Sequence, residues 1–215
     1  MQSNKTYIPA AGSDWFLPLY DPMTKLLGLE KARRVLLDQA ALRPLDRVLE
    51  IGCGTGSFSL LIKRYHPDVE VVGLDPDPKA LERARRKTQR AGVSIQFDQG
   101  FSDSLPYDGG TFDYVFSSMM FHHLKLDVKE KTLREARRVL KPGALFAMLD
   151  LRKPESTVGR LLGGLFHSDH VLKDNSENRI LALMAKAGLA NVRTVDHGTL
   201  LVGSVAYYQG TRRSS

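Results

Sequence analysis

Apolar and polar positions along the chain follow two rhythms that take turns. Short apolar runs bounded by turn residues read as buried strands at 47–51, 70–74, 94–98, 112–117 and 144–150. Between them, apolar residues three and four apart mark amphipathic helices at 57–65, 78–91, 127–140 and 175–187. In the first of these, Phe58, Leu61, Ile62 and Tyr65 share one stripe. An earlier helical stretch covers roughly 21–42. The runs "KPG" at 141–143 and "KAGL" at 186–189 are helix-stop signals. Strand and helix alternating in this way predict a parallel sheet covered by helices on both faces.

The C-terminus breaks the alternation. "NVRTVDHGTLLVGSVAYYQG" reads as two extended runs around Asp196, His197 and Gly198, with no helix between them. A parallel crossover needs about a dozen residues, so the last strand is expected to return antiparallel as a hairpin. The predicted fold is therefore α/β and Rossmann-like: a seven-stranded, mostly parallel sheet with an antiparallel final strand. No internal repeat or linker divides the chain, which reads as a single domain over 1–215. Two segments lie outside the alternation. One is an N-terminal helical lid within 1–42, carrying Trp15, Phe16 and Tyr20. The other is a lid insertion at 151–173, carrying Leu161, Leu162, Leu165 and Phe166.

Composition narrows the setting. A 215-residue chain with 42% hydrophobic and 26% charged residues fits one soluble globular domain with a sizeable core. No apolar run approaches the ~20 residues of a membrane span. The first residues lack the basic-then-apolar pattern of a signal peptide, and the single cysteine, Cys53, fits a reducing cytoplasm. The net charge of +7 raises the question of nucleic acid. Arg83, Arg85, Arg86 and Arg90 fall outside the apolar stripe of their helix, as do Arg134, Arg137 and Arg138 of theirs. Glu82, Glu130 and Glu135 are interleaved with them, and no aromatic residues are placed to stack bases. These are solvated helix faces, so a nucleic-acid partner is not expected. The sequence does not fix an oligomeric state.

The chemistry concentrates in "RVLEIGCGTGSFSLLIKRY", where a strand runs into Gly52, Gly54 and Gly56 and then into a helix. A dinucleotide fingerprint requires its third glycine at the position of Ser57, and a P-loop requires Lys-Ser/Thr after the last glycine, where Ser57-Phe58 stand instead. Alternating glycines let the backbone pass close beneath a ligand. Glu50 in this loop repels a pyrophosphate and suits positive charge. Asp75, ending the second strand, is placed to accept hydrogen bonds from a ribose diol. A nucleoside carrying a cationic, zwitterionic tail meets both requirements, and S-adenosylmethionine is that molecule.

At this point the chain resembles a known family, the class I S-adenosylmethionine-dependent methyltransferases. It is most similar to the group that includes the ubiquinone/menaquinone-biosynthesis C-methyltransferases. The resemblance runs from about residue 20 to the C-terminus and rests on "VLEIGCGTG", "VVGLDPDPKALERAR", "FDQGFSDSLPYDGGTFDYVFSSMMFHHL" and "REARRVLKPGALF". It implies that Glu50, Gly52 and Gly54 line the methionine moiety, with Cys53 and Gly56 in the same loop. Asp75 would hold the ribose, with Pro76 and Asp77 beside the adenine, while Ser117 and Ser118 approach the amino-acid end. Family members commonly read Gly-Asp-Ala after the third strand. Here the run is Gly100-Phe101-Ser102, so the adenine contact falls to the backbone, to Ser102, or to packing by Phe101.

Several residues carry two readings. Asp75 can bind ribose or cap the helix that follows. Cys53 reads as a small spacer, since no electropositive setting activates it. His167, Asp169 and His170 have a metal-like spacing, but no fourth ligand, and read as part of a polar lid with no metal. His122 and His123 follow a strand end, where open α/β sheets place ligands; one is expected to remove a proton from the acceptor, with Asp150 as its orienting partner or as an alternative base. The expected activity is in-line methyl transfer to a small aromatic or lipophilic acceptor. An RNA or protein methyltransferase and a non-catalytic S-adenosylmethionine-binding protein remain as alternatives.

Overall fold

The computed structural model describes residues 28–152, 175–201 and 203–214. Seven strands are present among them: β1 (Arg47–Ile51), β2 (Glu70–Asp75), β3 (Gln96–Gln99), β4 (Phe112–Ser118), β5 (Leu140–Leu151), β6 (Leu189–Leu200) and β7 (Gly203–Arg212). They form one sheet in the order β3-β2-β1-β4-β5-β7-β6. β7 runs antiparallel to both neighbours, while β1 through β5 pair in parallel. The helices are α1 (Leu29–Asp38), α2 (Ser57–Tyr65), α3 (Pro78–Arg90), α4 (Leu126–Val139) and α5 (Glu177–Lys186).

Side chains alternate across β5, and each set finds its own helices. Phe146 and Met148 join Tyr208 of β7 against Leu133 and Ala136 of α4 and Ile180 and Met184 of α5. Ala147 and Leu149 point the other way, into a layer with Leu36 and Leu37 of α1 and Phe58 and Ile62 of α2. There Phe58 meets Phe116 of β4 edge to face, ring centroids 5.5 Å apart. The helical stretch expected at 21–42 is helical over α1. Residues 1–27 of the N-terminal lid, with Trp15, Phe16 and Tyr20, lie outside the described residues, as does the insertion from 153 on.

Two turn signals are used differently from what the sequence predicts. Residues 196–198 do not turn the final hairpin; β6 continues through them to Leu200, which pairs with Gly203. The glycine serves close packing: a Cβ on Gly198 would stand 3.1 Å from Val205 Cγ2 and 3.7 Å from the Tyr207 hydroxyl. The "KPG" run does follow a helix end, but it lies inside β5. Register slips there, from Phe112 opposite Leu140 to Tyr114 opposite Leu145, with Gly143 at φ +78°. Lys141 Nζ fastens the bulge to both oxygens of Asp113, at 2.8 Å each. The "KAGL" signal acts as expected, with Gly188 at φ +88° just past α5.

α3 opens with Asp77 as its N-cap, the side chain accepting from the Lys79 N–H at 2.9 Å, and with Pro78 in the first turn. Replacing Asp77 with Ala is expected to cost about 1 kcal/mol. A thermal melt should show the midpoint falling by about 2–4 °C.

Candidate active site

β1 is flanked by β2 on one side and β4 on the other, so the connections leaving β1 and β4 diverge and open a crevice at the carboxyl ends of the strands. The loop after β1 lines it. Gly52, Gly54 and Gly56 have φ of 73°, 51° and 71°. The N–H groups of Gly52 and Cys53 both donate to the Leu74 carbonyl, at 2.8 and 3.1 Å, tying this loop to β2. At Gly52 a Cβ would lie 2.3 Å from Met120 Cγ, so the glycine admits the segment after β4 against the loop. Cys53 is buried with its Sγ beneath Gly73. Burial, reinforced by the nearby Glu50 and Asp75 charges, pushes its thiol well above the usual range, which suits a spacer.

Glu50 is fully buried on β1. Its Oε2 accepts from the Ser59 hydroxyl, while Oε1 has no partner among the described residues. Burial pushes the carboxyl up to about 7, against the opposing pull of Arg33. Arg33, buried on α1, donates from Nε to Ser118 Oγ at 3.0 Å. Ser117, one residue earlier, keeps a buried Oγ without a partner among the described residues. Asp75 has both oxygens taken by backbone: Oδ2 by the Gly54 N–H at 2.8 Å and Oδ1 by the Asp77 N–H at 2.9 Å. Burial nevertheless raises it to about 6. The helix cap is Asp77, so Asp75 is not the capping residue.

The segment after β3 lies alongside. Gly100 N–H donates to the Asp75 carbonyl at 3.1 Å, and the Pro76 carbonyl accepts from Gln99 Nε2 at 3.1 Å. Phe101 is half-buried and bridges to Ser104. Ser102 spends its hydroxyl on Thr132 of α4, at 2.8 Å. Arg138 and Glu135 of α4 pin the rest of the segment. Arg138 donates to the carbonyls of Leu105 and Tyr107, and Glu135 accepts from the Leu105 N–H.

On the other side of the crevice, β4 is followed by Met119 at φ +59°, a conformation uncommon for a residue with a Cβ. A 3-10 turn, Phe121–His123, follows. The N–H groups of Phe121 and His122 donate to Asp150 Oδ2 at 2.7 and 3.3 Å, and His122 Nδ1 lies 2.6 Å from Asp150 Oδ1. His122 is buried and His123 exposed, their ring centroids 4.0 Å apart. Burial alone would raise Asp150, yet His122, His123 and the hydrogen bond from the Leu151 N–H together offset it and hold the carboxyl below its usual range. Asp150 is thus fitted to orient His122 and poorly fitted to take a proton itself. His167, Asp169 and His170 lie outside the described residues.

Residues 48–143 match the family described as "Methyltransferase domain". The chain is 30% identical to the demethylmenaquinone methyltransferase of Thermus thermophilus, over 91% of this chain and 97% of that one. It is 29% identical to the ubiquinone/menaquinone biosynthesis C-methyltransferase UbiE of Syntrophotalea carbinolica, over 97% and 98%. The chain is an S-adenosylmethionine-dependent methyltransferase. Among solved structures, the YcgJ protein of Bacillus subtilis superposes with a TM-score of 0.73 at 22% identity, over 86% of this chain and 99% of that one, which supports the fold.

Two residues of this methyltransferase's crevice escape motif reading, Arg33 and Lys129. Both carried a signal: each stands on the apolar stripe of its helix, Arg33 four residues from Leu29 and from Leu37, Lys129 four residues before Leu133. Glu50 generates a stability prediction. Its folded-state carboxyl titrates near 7 against an ordinary 4.5, so the folded protein holds a proton that the unfolded chain releases. Stability is therefore lost as pH rises through that window. Glu50→Gln should melt higher than the parent above pH 7, by on the order of 3 kcal/mol, and the gain should vanish near pH 4. An unchanged difference across that pH range in a melting series would refute the assignment.

Proposed function

We propose that this methyltransferase transfers the methyl group to a ring carbon of a lipophilic, hydroxylated aromatic acceptor of the reduced quinone type. The observation that carries this reading is the buried His122–Asp150 pair at the end of β4, the strand beside the glycine-loop strand. The names of two near full-length relatives, a demethylmenaquinone methyltransferase and a ubiquinone/menaquinone C-methyltransferase, support the acceptor class.

S-adenosylmethionine, when bound, supplies a methyl group already made electrophilic by its sulfonium. The donor set of this chain fits that molecule. Glu50 offers a buried, unpartnered oxygen to an ammonium, and Asp75, steadied by two backbone N–H groups, offers its carboxylate to a ribose diol. Gly52, Gly54 and Gly56 keep the path beneath it clear of Cβ atoms. Ser117 and Ser118 stand at the amino-acid end, and Pro76, Gly100, Phe101 and Ser102 at the adenine end, where the Ser102 hydroxyl is already committed to Thr132.

His122 accepts the proton of an acceptor hydroxyl. The resulting phenolate would make a ring carbon nucleophilic toward the methyl that S-adenosylmethionine would supply, the demethylated thioether being the leaving group. The ring proton would then pass to solvent as His122 returns its proton to the ring oxygen, restoring the aromatic ring and the base. Asp150 fixes Nδ1 as the protonated ring nitrogen, so Nε2 is the basic one. His123, exposed beside it, flanks the acceptor.

Calorimetry should detect S-adenosylmethionine and its demethylated product and no NAD. Asp75→Ala should weaken both ligands by about 1.5–3 kcal/mol for each hydrogen bond lost. Binding of NAD alone would overturn the reading. For the base, His122→Gln should keep ligand binding and lose about 10²–10⁴-fold in turnover of a reduced demethylmenaquinone, followed by mass spectrometry, while His123→Gln should change turnover little. Methylation of an oxygen or nitrogen acceptor in preference to the quinol ring would replace the acceptor class.

A further inference from the structure

Lys129 sits on the buried side of α4 at 0% exposure, sharing that interior with Asp150 at 0% and His122 at 4%. A buried ammonium is tolerated where its charge is compensated and its protons are taken up. Nζ of Lys129 donates to Asn175 Oδ1 at 2.6 Å and lies 5.2 Å from the ring centroid of Phe121, on the same turn as His122. Asn175, itself fully buried, hands the connection on. Its Nδ2 donates to the Leu151 carbonyl at 2.5 Å and reaches Asp150 Oδ1 at 3.4 Å. The same oxygen receives His122 Nδ1.

We propose that Lys129 and Asn175 are positioning residues for His122, acting through Asp150 to hold its ring in one tautomer. The inference rests on His122 as the group that removes the acceptor's proton. With its oxygen engaged by Lys129, the Asn175 amide must turn its NH₂ toward Asp150, which fixes the carboxylate and hence the protonated nitrogen of the ring.

The test is nitrogen NMR of histidine-labelled full-length protein, run beside turnover. In the parent, His122 should show protonated Nδ1. In Asn175→Ala the tautomer with protonated Nε2 should appear and kcat fall, with S-adenosylmethionine affinity unchanged. In Lys129→Met the Asn175 amide loses the contact that orients it, so the same second tautomer should appear and kcat fall, and Lys129→Arg should restore the parent tautomer. Should Lys129→Met fail to fold, the tautomer measured in Asn175→Ala decides alone. Folded variants that keep the parent tautomer overturn the proposal. Normal turnover in His122→Gln would instead sink the proton-removal reading, while the spectra still report the coupling to Lys129 directly.

Discussion

Carboxylates taken out of water must be given hydrogen-bond donors, and three of them, Glu50, Asp75 and Asp150, stand at the carboxyl ends of β1, β2 and β5. The donors nearest to hand are backbone N–H groups, and using them dictates where the loops go. Asp75 draws the N–H of Gly54 across from the β1 loop and that of Asp77 from the start of α3. Asp150 draws in the N–H groups of Phe121 and His122, curling the chain after β4 into its short turn. Asp75 and Asp150 thus each tie a neighbouring strand's loop to their own strand end, while Glu50 is held by the Ser59 hydroxyl of α2. The crevice walls are held by these ties as much as by apolar packing.

The same logic separates the roles of the acids. Asp150 has both oxygens hydrogen-bonded and two histidine rings beside it, its carboxyl is held below the usual range, and it directs other groups. Among the described residues, Asp75 is bound by backbone N–H groups with no facing cation, and burial lifts it to about 6. Among the same residues, Glu50 has one oxygen bound and one unpartnered, with Arg33 as its nearby positive charge, and is lifted to about 7. An arriving cation completes the environment Glu50 lacks. Ligand charge and local stability are therefore linked in opposite senses at this residue: the ionised form that disfavours the empty fold is the form a cationic ligand stabilises.

Local signals made most of this legible. The glycine loop, the acid ending β2 and the alternation of strand and helix are patterns within a few residues, and they gave the sheet, its antiparallel last strand and the crevice. Features set by contacts far apart in sequence were hidden. Gly198 looked like a turn because its neighbours Val205 and Tyr207, whose approach excludes a Cβ, arrive only with β7. "KPG" reads as punctuation, yet Lys141 finds Asp113 across the sheet and the run becomes a bulge. Asn175 is an ordinary polar residue ahead of a helix until Lys129, 46 positions earlier, closes on it. Basic residues on the apolar stripes of α1 and α4 were the one visible trace of such buried networks.

Adjacent histidines illustrate why a motif can name a pair and leave the choice to the fold. In sequence, His122 and His123 are equivalent: same strand end, same side-chain chemistry. The turn sends one ring inward against Asp150 and leaves the other exposed. A solvated imidazole shares its basicity between two nitrogens that exchange protons with water. A buried one with Nδ1 committed to a carboxylate keeps a single basic nitrogen in a fixed direction. Proton removal from a bound acceptor requires that direction to be held while the acceptor is positioned, because a base slightly out of line is a poor one. Backbone N–H groups on Asp150 Oδ2, and the Lys129–Asn175 chain on Oδ1, supply that constraint from two elements at once. The buried Lys129–Asn175 pair, Asp150 and the His122 ring are thus joined in one hydrogen-bonded chain.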